Sequence, residues 1–154
     1  MIRLQREDFD PGIELARLGE GNPAIGGICT FVGLVRDRSA AGGVTAMTLE
    51  HYPGMTEKEL ARIEAEARAR WPLEDVLIIH RHGRLSPGER IVLVATASAH
   101  RQAAFDACQF LIDWLKTRAP FWKREEGSAG ARWVEARAED DDAAARWRED
   151  DKKE

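Results

Sequence analysis

Apolar and polar residues alternate over residues 2–5, and this period of two predicts a short strand. Asp10-Pro11 opens a helical turn running toward Leu18, and residues 21–23 form a turn. Residues 25–35 are apolar and β-rich, which predicts a buried strand with glycines where backbones approach closely. After a loop at 37–43, residues 44–52 alternate again and are expected to pair with the preceding strand. Thr56 and Glu59 have capping-box spacing, so a charged helix runs from there to Trp71, where Pro72 ends it. Residues 76–82 and 90–98 read as two strands around the turn Ser86-Pro87-Gly88. A helix follows over 102–117 with Phe105, Cys108, Ile112 and Leu115 on one face, and Pro120 stops it. Residues 121–125 and 132–135 form a last hairpin around Gly127 and Gly130.

This order of strands, helix, strands, helix, strands predicts an α+β fold with a mainly antiparallel sheet and two main helices, because short turns join the strand pairs. The 154 residues suit one domain. We place it at 1–135 and read 136–154 as a charged tail, a loose helix or a disordered segment. The tail also carries the charge: residues 135–154 hold nine acids and five bases, so the whole net charge of −4 lies there and the body is neutral. A neutral body argues against nucleic acid as the partner. No apolar run nears the roughly 20 residues of a membrane helix, and the N-terminus lacks a secretory h-region, so a cytoplasmic protein is expected. Cys29 and Cys108 show no metal or redox spacing and read as buried thiols in a reducing compartment.

Between His80 and Trp133 the chain holds nine Lys/Arg against five Asp/Glu, an excess that suits an anionic ligand or merely a solvated face. Lys116 ends the long helix and Lys123 follows the Pro120 break, so the chain can fold the two amines into one corner. Close ammonium groups depress each other's pKa, and burial adds to this. A lysine lowered in that way acts as a nucleophile or acid–base group near neutral pH; the plainer role of Lys116 is to complement the helix dipole. His100-Arg101 precedes the same helix, where backbone N–H groups and a guanidinium make an anion site, or a surface cap. Arg36 ends a strand beside a loop. His80, His82 and His100 lack the acidic or thiol partners of a recognised metal set. His51 reads as structural, Trp114 as core, and Trp122 as core or as a stacking surface.

Six segments occur together and in order: FVGLVR at 31–36, LEHYPGM at 49–55, IIHRHGRLSPGE at 78–89, SAHRQAAFDA at 98–107, DWLKTRAPFWKRE at 113–125 and GSAGARWV at 127–134. They resemble the large, catalytic subunit family of molybdopterin synthase over most of the chain. The charged tail has no counterpart in that pattern.

The resemblance implies an enzyme that converts cyclic pyranopterin monophosphate into molybdopterin, installing two sulfurs as a dithiolene. It implies as partner a small ubiquitin-like sulfur carrier whose thiocarboxylated Gly-Gly tail threads into a pocket, and a central dimer of large subunits. It implies an antiparallel sheet with a hammerhead-like subdomain, and no cofactor or metal. Lys123 matches the pocket lysine tied most directly to catalysis, and Lys116 the one nearest the carrier's terminal glycine. His100 and Arg101 match the pair holding the anionic part of the substrate. Leu34, Val35 and Arg36 match the lining segment, and Arg124 and Glu125 match substrate-binding positions. The rival reading is a non-catalytic module whose basic groove docks a partner's C-terminal tail, with both lysines in salt bridges only.

Overall fold

A computed structural model of the chain describes residues 1–39, 42–127, 130–134 and 138–150. Nine strands and four helices lie among them: β1 (Ile2–Gln5), α1 (Pro11–Gly19), β2 (Gly27–Leu34), β3 (Arg38–Ser39), β4 (Gly42–His51), α2 (Met55–Arg70), β5 (Leu73–Arg81), β6 (Gly83–Leu85), β7 (Arg90–Ser98), α3 (Arg101–Thr117), β8 (Phe121–Gly127), β9 (Gly130–Val134) and α4 (Ala138–Asp150). The α+β class with mainly antiparallel sheets is the one the pattern predicts; β1 alone pairs parallel, with β5.

The first sheet has the order β1-β5-β7-β2. Its two central strands are nearly continuous apolar runs because both faces are covered: Val76, Ile78, Ile79, Leu93, Val94 and Ala95 are wholly buried. Removing each large aliphatic side chain from water contributes about 1.5–3 kcal/mol. The second sheet runs β3-β4-β8-β9, with β6 also on β4. β6 continues from β5 and so joins the two sheets.

Local chemistry sets the helix limits. Asp10 caps α1 by accepting from the Ile13 N–H at 3.0 Å, with Pro11 in the first turn. The capping box of α2 lies two residues earlier than its predicted position. Gly54, at φ +83°, precedes the helix, and its N–H donates to the Glu57 carboxylate at 2.6 Å. Thr56 is instead buried and accepts from the Tyr52 N–H at 3.1 Å.

Three further expectations change. β2 is an edge strand and not a buried one: Ile28, Phe31 and Leu34 remain 38, 39 and 53% exposed. β4 does not pair with β2; it folds back on β3 and then runs against β6 and β8, with Leu49 opposite Lys123. The core face of α3 is Ala104, Ala107, Cys108, Leu111 and Trp114, while Phe105 points outward.

The tail differs most. Residues 135–137 and 151–154 lie outside the described ones, but α4 is docked on α3. Trp147 packs edge-on against Trp71 and Phe110, both at 5.6 Å. Its indole N–H donates to Asp113 Oδ2 at 2.8 Å, and Arg146 reaches the same oxygen at 3.3 Å.

Candidate functional site

The chain after α3 doubles back over three residues. The N–H groups of Arg118 and Ala119 both donate to the Trp114 carbonyl, and the Phe121 N–H donates to the Ala119 carbonyl at 2.7 Å. This tight exit places the last turn of α3 beside the start of β8. Lys116 and Lys123 are therefore near enough for their charges to act on one another, the juxtaposition expected from the break at Pro120. The alternation along β8 turns Phe121, Lys123 and the buried Glu125 to one face, and Trp122 and Arg124 to the other. Trp122 is a half-exposed surface ring packed edge-on against Tyr52, 4.1 Å between centroids, and does not line the corner.

Electrostatics give the corner its chemistry. Burial pushes the Lys123 ammonium down from the ordinary lysine value to about 8, and the charges of Lys116 and Arg36 push the same way. The carboxylates of Asp140 and Glu125 oppose them. Lys123 is thus largely protonated at neutral pH yet able to exchange its proton there. Asp140 belongs to α4, so the charged tail contributes to this environment. Nothing in the sequence pointed to it, because the docking of α4 depends on a tertiary contact.

His80 is a second group that the sequence left unassigned. Its ring is 7% exposed and lies flat on Phe121, 3.9 Å between centroids with the planes 15° apart. Its Nδ1 donates to the Arg81 carbonyl at 2.8 Å, which fixes the neutral tautomer. Burial first, and then the charges of Lys116, Lys123 and His51, lower its pKa to about 3. The wall of the lysine corner therefore stays uncharged at any physiological pH. His51 stands edge-on to His82 at 4.6 Å and buries an Nδ1 with no partner among the described residues. Among the described residues no cluster of three or more His, Cys, Asp and Glu is placed to hold a metal ion.

Arg36 is exposed at the mouth of the corner, beyond Leu34 at the end of β2 and the 2% exposed Val35. Val35 is pinned by backbone hydrogen bonds to Glu89 and Gly88 at 2.9 and 2.7 Å. His100 caps α3 with its backbone extended and no side-chain bond across the cap; it and Arg101 are exposed. Gly26 lies under this helix start, where a Cβ would fall 2.0 Å from the Ala99 carbonyl oxygen, so only glycine fits. Within one chain this pair does not reach the lysines. Positions 101 and 116 of α3 differ by 15 residues, about 22 Å at 1.5 Å per residue. The site residues thus form two groups, one at each end of α3.

The two-sheet fold and the lysine corner define a protein class that comparison identifies. The MoaE protein family model matches residues 4–118, and the chain belongs to the MoaE family. Among its relatives, the molybdopterin synthase catalytic subunit of Pseudomonas aeruginosa is 60% identical over 148 residues, 96% of this chain and 99% of that protein. The Escherichia coli molybdopterin synthase catalytic subunit is 55% identical over 141 residues, 92% of this chain and 93% of that protein. The solved structure of the molybdopterin biosynthesis MoaE protein from Burkholderia ambifaria superposes with a TM-score of 0.81 at 56% identity, covering 96% of this chain and 97% of that one.

Proposed function

We propose that this chain is the catalytic subunit of a cytoplasmic molybdopterin synthase that transfers sulfur to cyclic pyranopterin monophosphate. The observation that carries the reading is the partly buried Lys123, lowered to about 8 beside Lys116 and Arg36, in a member of the MoaE family. The donor is the thiocarboxylated C-terminal Gly-Gly of a small ubiquitin-like carrier, led into the corner past Lys116. The thiocarboxylate sulfur forms a C–S bond to an electrophilic carbon of the pterin side chain, and the oxygen leaving that carbon takes its proton from Lys123. Water then cleaves the acyl–sulfur bond, leaving sulfur on the pterin and a carboxylate on the carrier. A second carrier repeats the step. The cations of Arg36, Lys116 and Arg101 offset the anionic charge, and Glu125 positions substrate.

The separation along α3 has a geometric solution in a dimer. β2 is the edge of its sheet and shows Ile28, Phe31 and Leu34 to solvent, and α3 beside it adds Phe105, 57% exposed. An exposed apolar edge is a surface that a second copy covers. Two-fold antiparallel pairing of β2 with itself sets the N-terminal end of one strand beside the C-terminal end of the other. It brings the partner's anion-holding end, where its own β2 begins, to the Arg36 and lysine end of this chain. Each complete pocket then draws on two chains.

The test is single-turnover dithiolene formation by the purified chain with thiocarboxylated carrier and pterin precursor. Turnover that disappears in Lys123→Ala while carrier binding persists supports the reading. Carrier binding without any sulfur transfer in the unaltered chain would instead mark a docking module.

A further inference from the structure

The turn between α3 and β8, which brings Lys116 and Lys123 together, is held by a buried hydroxyl. Thr56 lies in the first turn of α2 and is wholly buried. Its backbone N–H donates to the Tyr52 carbonyl at 2.9 Å, and its Oγ1 accepts from the Tyr52 N–H at 3.1 Å. The same hydroxyl donates to the Pro120 carbonyl at 3.4 Å. β4 and β8 pair antiparallel as far as His51 opposite Phe121. Tyr52 and Pro120 are the next residues beyond that pair, and the Thr56 hydroxyl bridges them where the ladder ends. One oxygen thus ties together the end of β4, the start of α2 and the turn after α3, with its donor and acceptor roles both used.

This bridge controls how β8 begins. Pro120 is followed at once by Phe121, whose ring stacks on His80, and Lys123 comes two residues later on the face of Phe121. The α3 side of the turn is fixed separately, by the Arg118 and Ala119 N–H groups on the Trp114 carbonyl. Loosening the Thr56 bridge therefore shifts Lys123 relative to Lys116 while both elements stay folded. The charged groups that act on Lys123 are Lys116 of α3, Arg36 beyond β2, Glu125 of β8 and Asp140 of α4, and His80 of β5 stands beside them uncharged. A looser turn wets the amine and draws Lys116 away from it. Both changes raise its pKa toward the ordinary lysine value. A threonine that merely packs the helix start would cost stability and leave that titration in place.

We infer that the Thr56 hydroxyl is a positioning group for Lys123, acting through the Pro120 carbonyl to set its approach to Lys116. The inference rests on the reading of Lys123 as the proton donor in sulfur transfer. Thr56→Val removes the hydroxyl at nearly the same shape, and Thr56→Ser keeps it. Each full-length variant is assayed where circular dichroism shows it folded. Thr56→Val is expected to slow single-turnover sulfur transfer, at saturating carrier and precursor, by about tenfold to a hundredfold. The affinity for either ligand should change little, and the alkaline limb of the rate should move above about 8. Thr56→Ser is expected to restore both rate and limb. Thr45→Val removes another threonine bond to β8, from the exposed Thr45 Oγ1 to the Glu126 carbonyl at 3.0 Å, and is expected to change neither. Thr56→Ala against Thr56→Ser repeats the contrast, so the test does not depend on the valine variant folding. The inference is overturned if the folded variants without the hydroxyl keep the rate and the limb. It is also overturned if Thr56→Ser fails as Thr56→Val does, or if Thr45→Val moves the limb equally. A second readout needs no turnover: the Lys123 amine is titrated by carbon NMR on lysine-labelled chain, its signal assigned by its absence from Lys123→Arg. A midpoint that rises in Thr56→Val and returns in Thr56→Ser is expected, and an unmoved midpoint overturns the inference. If the unaltered chain transfers no sulfur, the reading of the site fails, while this titration still decides the part played by Thr56.

Discussion

The imidazole of His80 lies flat on the phenyl ring of Phe121, 3.9 Å between centroids and 15° from parallel. Phe121 opens β8, and Lys123 lies two residues on, on the same face. A buried, uncharged ring thus holds the strand that carries Lys123. Protonating that ring would place a third cation against Lys116 and Lys123.

This makes His80 an acid-stability element. Its pKa is about 3 in the folded chain, against an ordinary value of 6.5. Between those values the unfolded chain binds the extra proton, so stability is complete above pH 6.5 and falls as the pH drops toward 3. The slope from this one group is at most about 1.4 kcal/mol per pH unit. His80→Asn keeps a donor for the Arg81 carbonyl and cannot titrate. Urea denaturation of this variant is expected to show lower stability at pH 7 and a shallower loss between pH 6.5 and 4. An unchanged slope would remove His80 from the acid response.

Lys123 should lose its function with its proton. Lys123→Ala is expected to slow single-turnover sulfur transfer by about 10²–10⁴-fold. Lys123→Arg keeps the charge but not an exchangeable proton near neutral pH, and should be nearly as slow. An arginine variant with substantial activity would show that charge alone suffices.

The same amine predicts a pH limb. The protonated form donates, so the rate should fall as pH rises through about 8. Asp140 and Glu125 hold that value up, and Lys116 and Arg36 hold it down. Asp140→Asn removes one raising charge, so the limb should move to lower pH with the maximum rate little changed. A limb that stays in place would show that α4 does not act on the amine.

Trp147 should matter to stability. It is half-buried between Trp71 and Phe110 and bonds Asp113, itself 8% exposed. Trp147→Ala removes the packing and, among the described residues, leaves that carboxylate with only Arg146. A loss of about 2–4 kcal/mol in urea denaturation is expected. The exposed Asp142→Ala on the same helix should stay within about 0.5 kcal/mol. Equal, small effects would mean α4 contributes nothing to the fold.

Local signals in the sequence place most of the strands and helices and the Pro120 break, because period and breaker residues act over a few positions, but they miss the short β3 and β6. The meeting of Lys116 and Lys123 followed from that same break. What was lost needed distant partners. β4 was expected on β2 because consecutive strands usually pair, and β8 and β6 took that place instead. The apolar run at β2 looked buried, yet β2 is an edge strand with Ile28, Phe31 and Leu34 exposed. The face of α3 was rotated because Ala104 and Ala107 carry little hydrophobic weight in a pattern but set the close approach to the sheet. The tail holds one large apolar residue, Trp147, and its docking depends on Asp113, Trp71 and Phe110, none of which its own composition reveals.

The sharpest prediction concerns the two ends of α3. If each pocket combines Lys116 and Lys123 of one chain with the partner's His100 and Arg101, two inactive variants should repair one another. Arg101→Ala alone should weaken the phosphate-bearing precursor by roughly 1.5–3 kcal/mol while sparing the carrier. At precursor concentrations far below the affinity of that variant, it and Lys123→Ala are both nearly silent. Mixed and allowed to exchange subunits, half of the dimers carry one of each chain. In such a dimer one pocket has lost both groups and the other has kept both. About a quarter of the unaltered activity should therefore return. If each pocket lies within one chain, every pocket keeps one lesion and mixing restores nothing. Light scattering on the mixture supplies the control, since a monomer at micromolar concentration would remove the shared pocket before any rate is measured. Activity near a quarter, appearing with the time course of subunit exchange, is the outcome that the edge pairing of β2 requires.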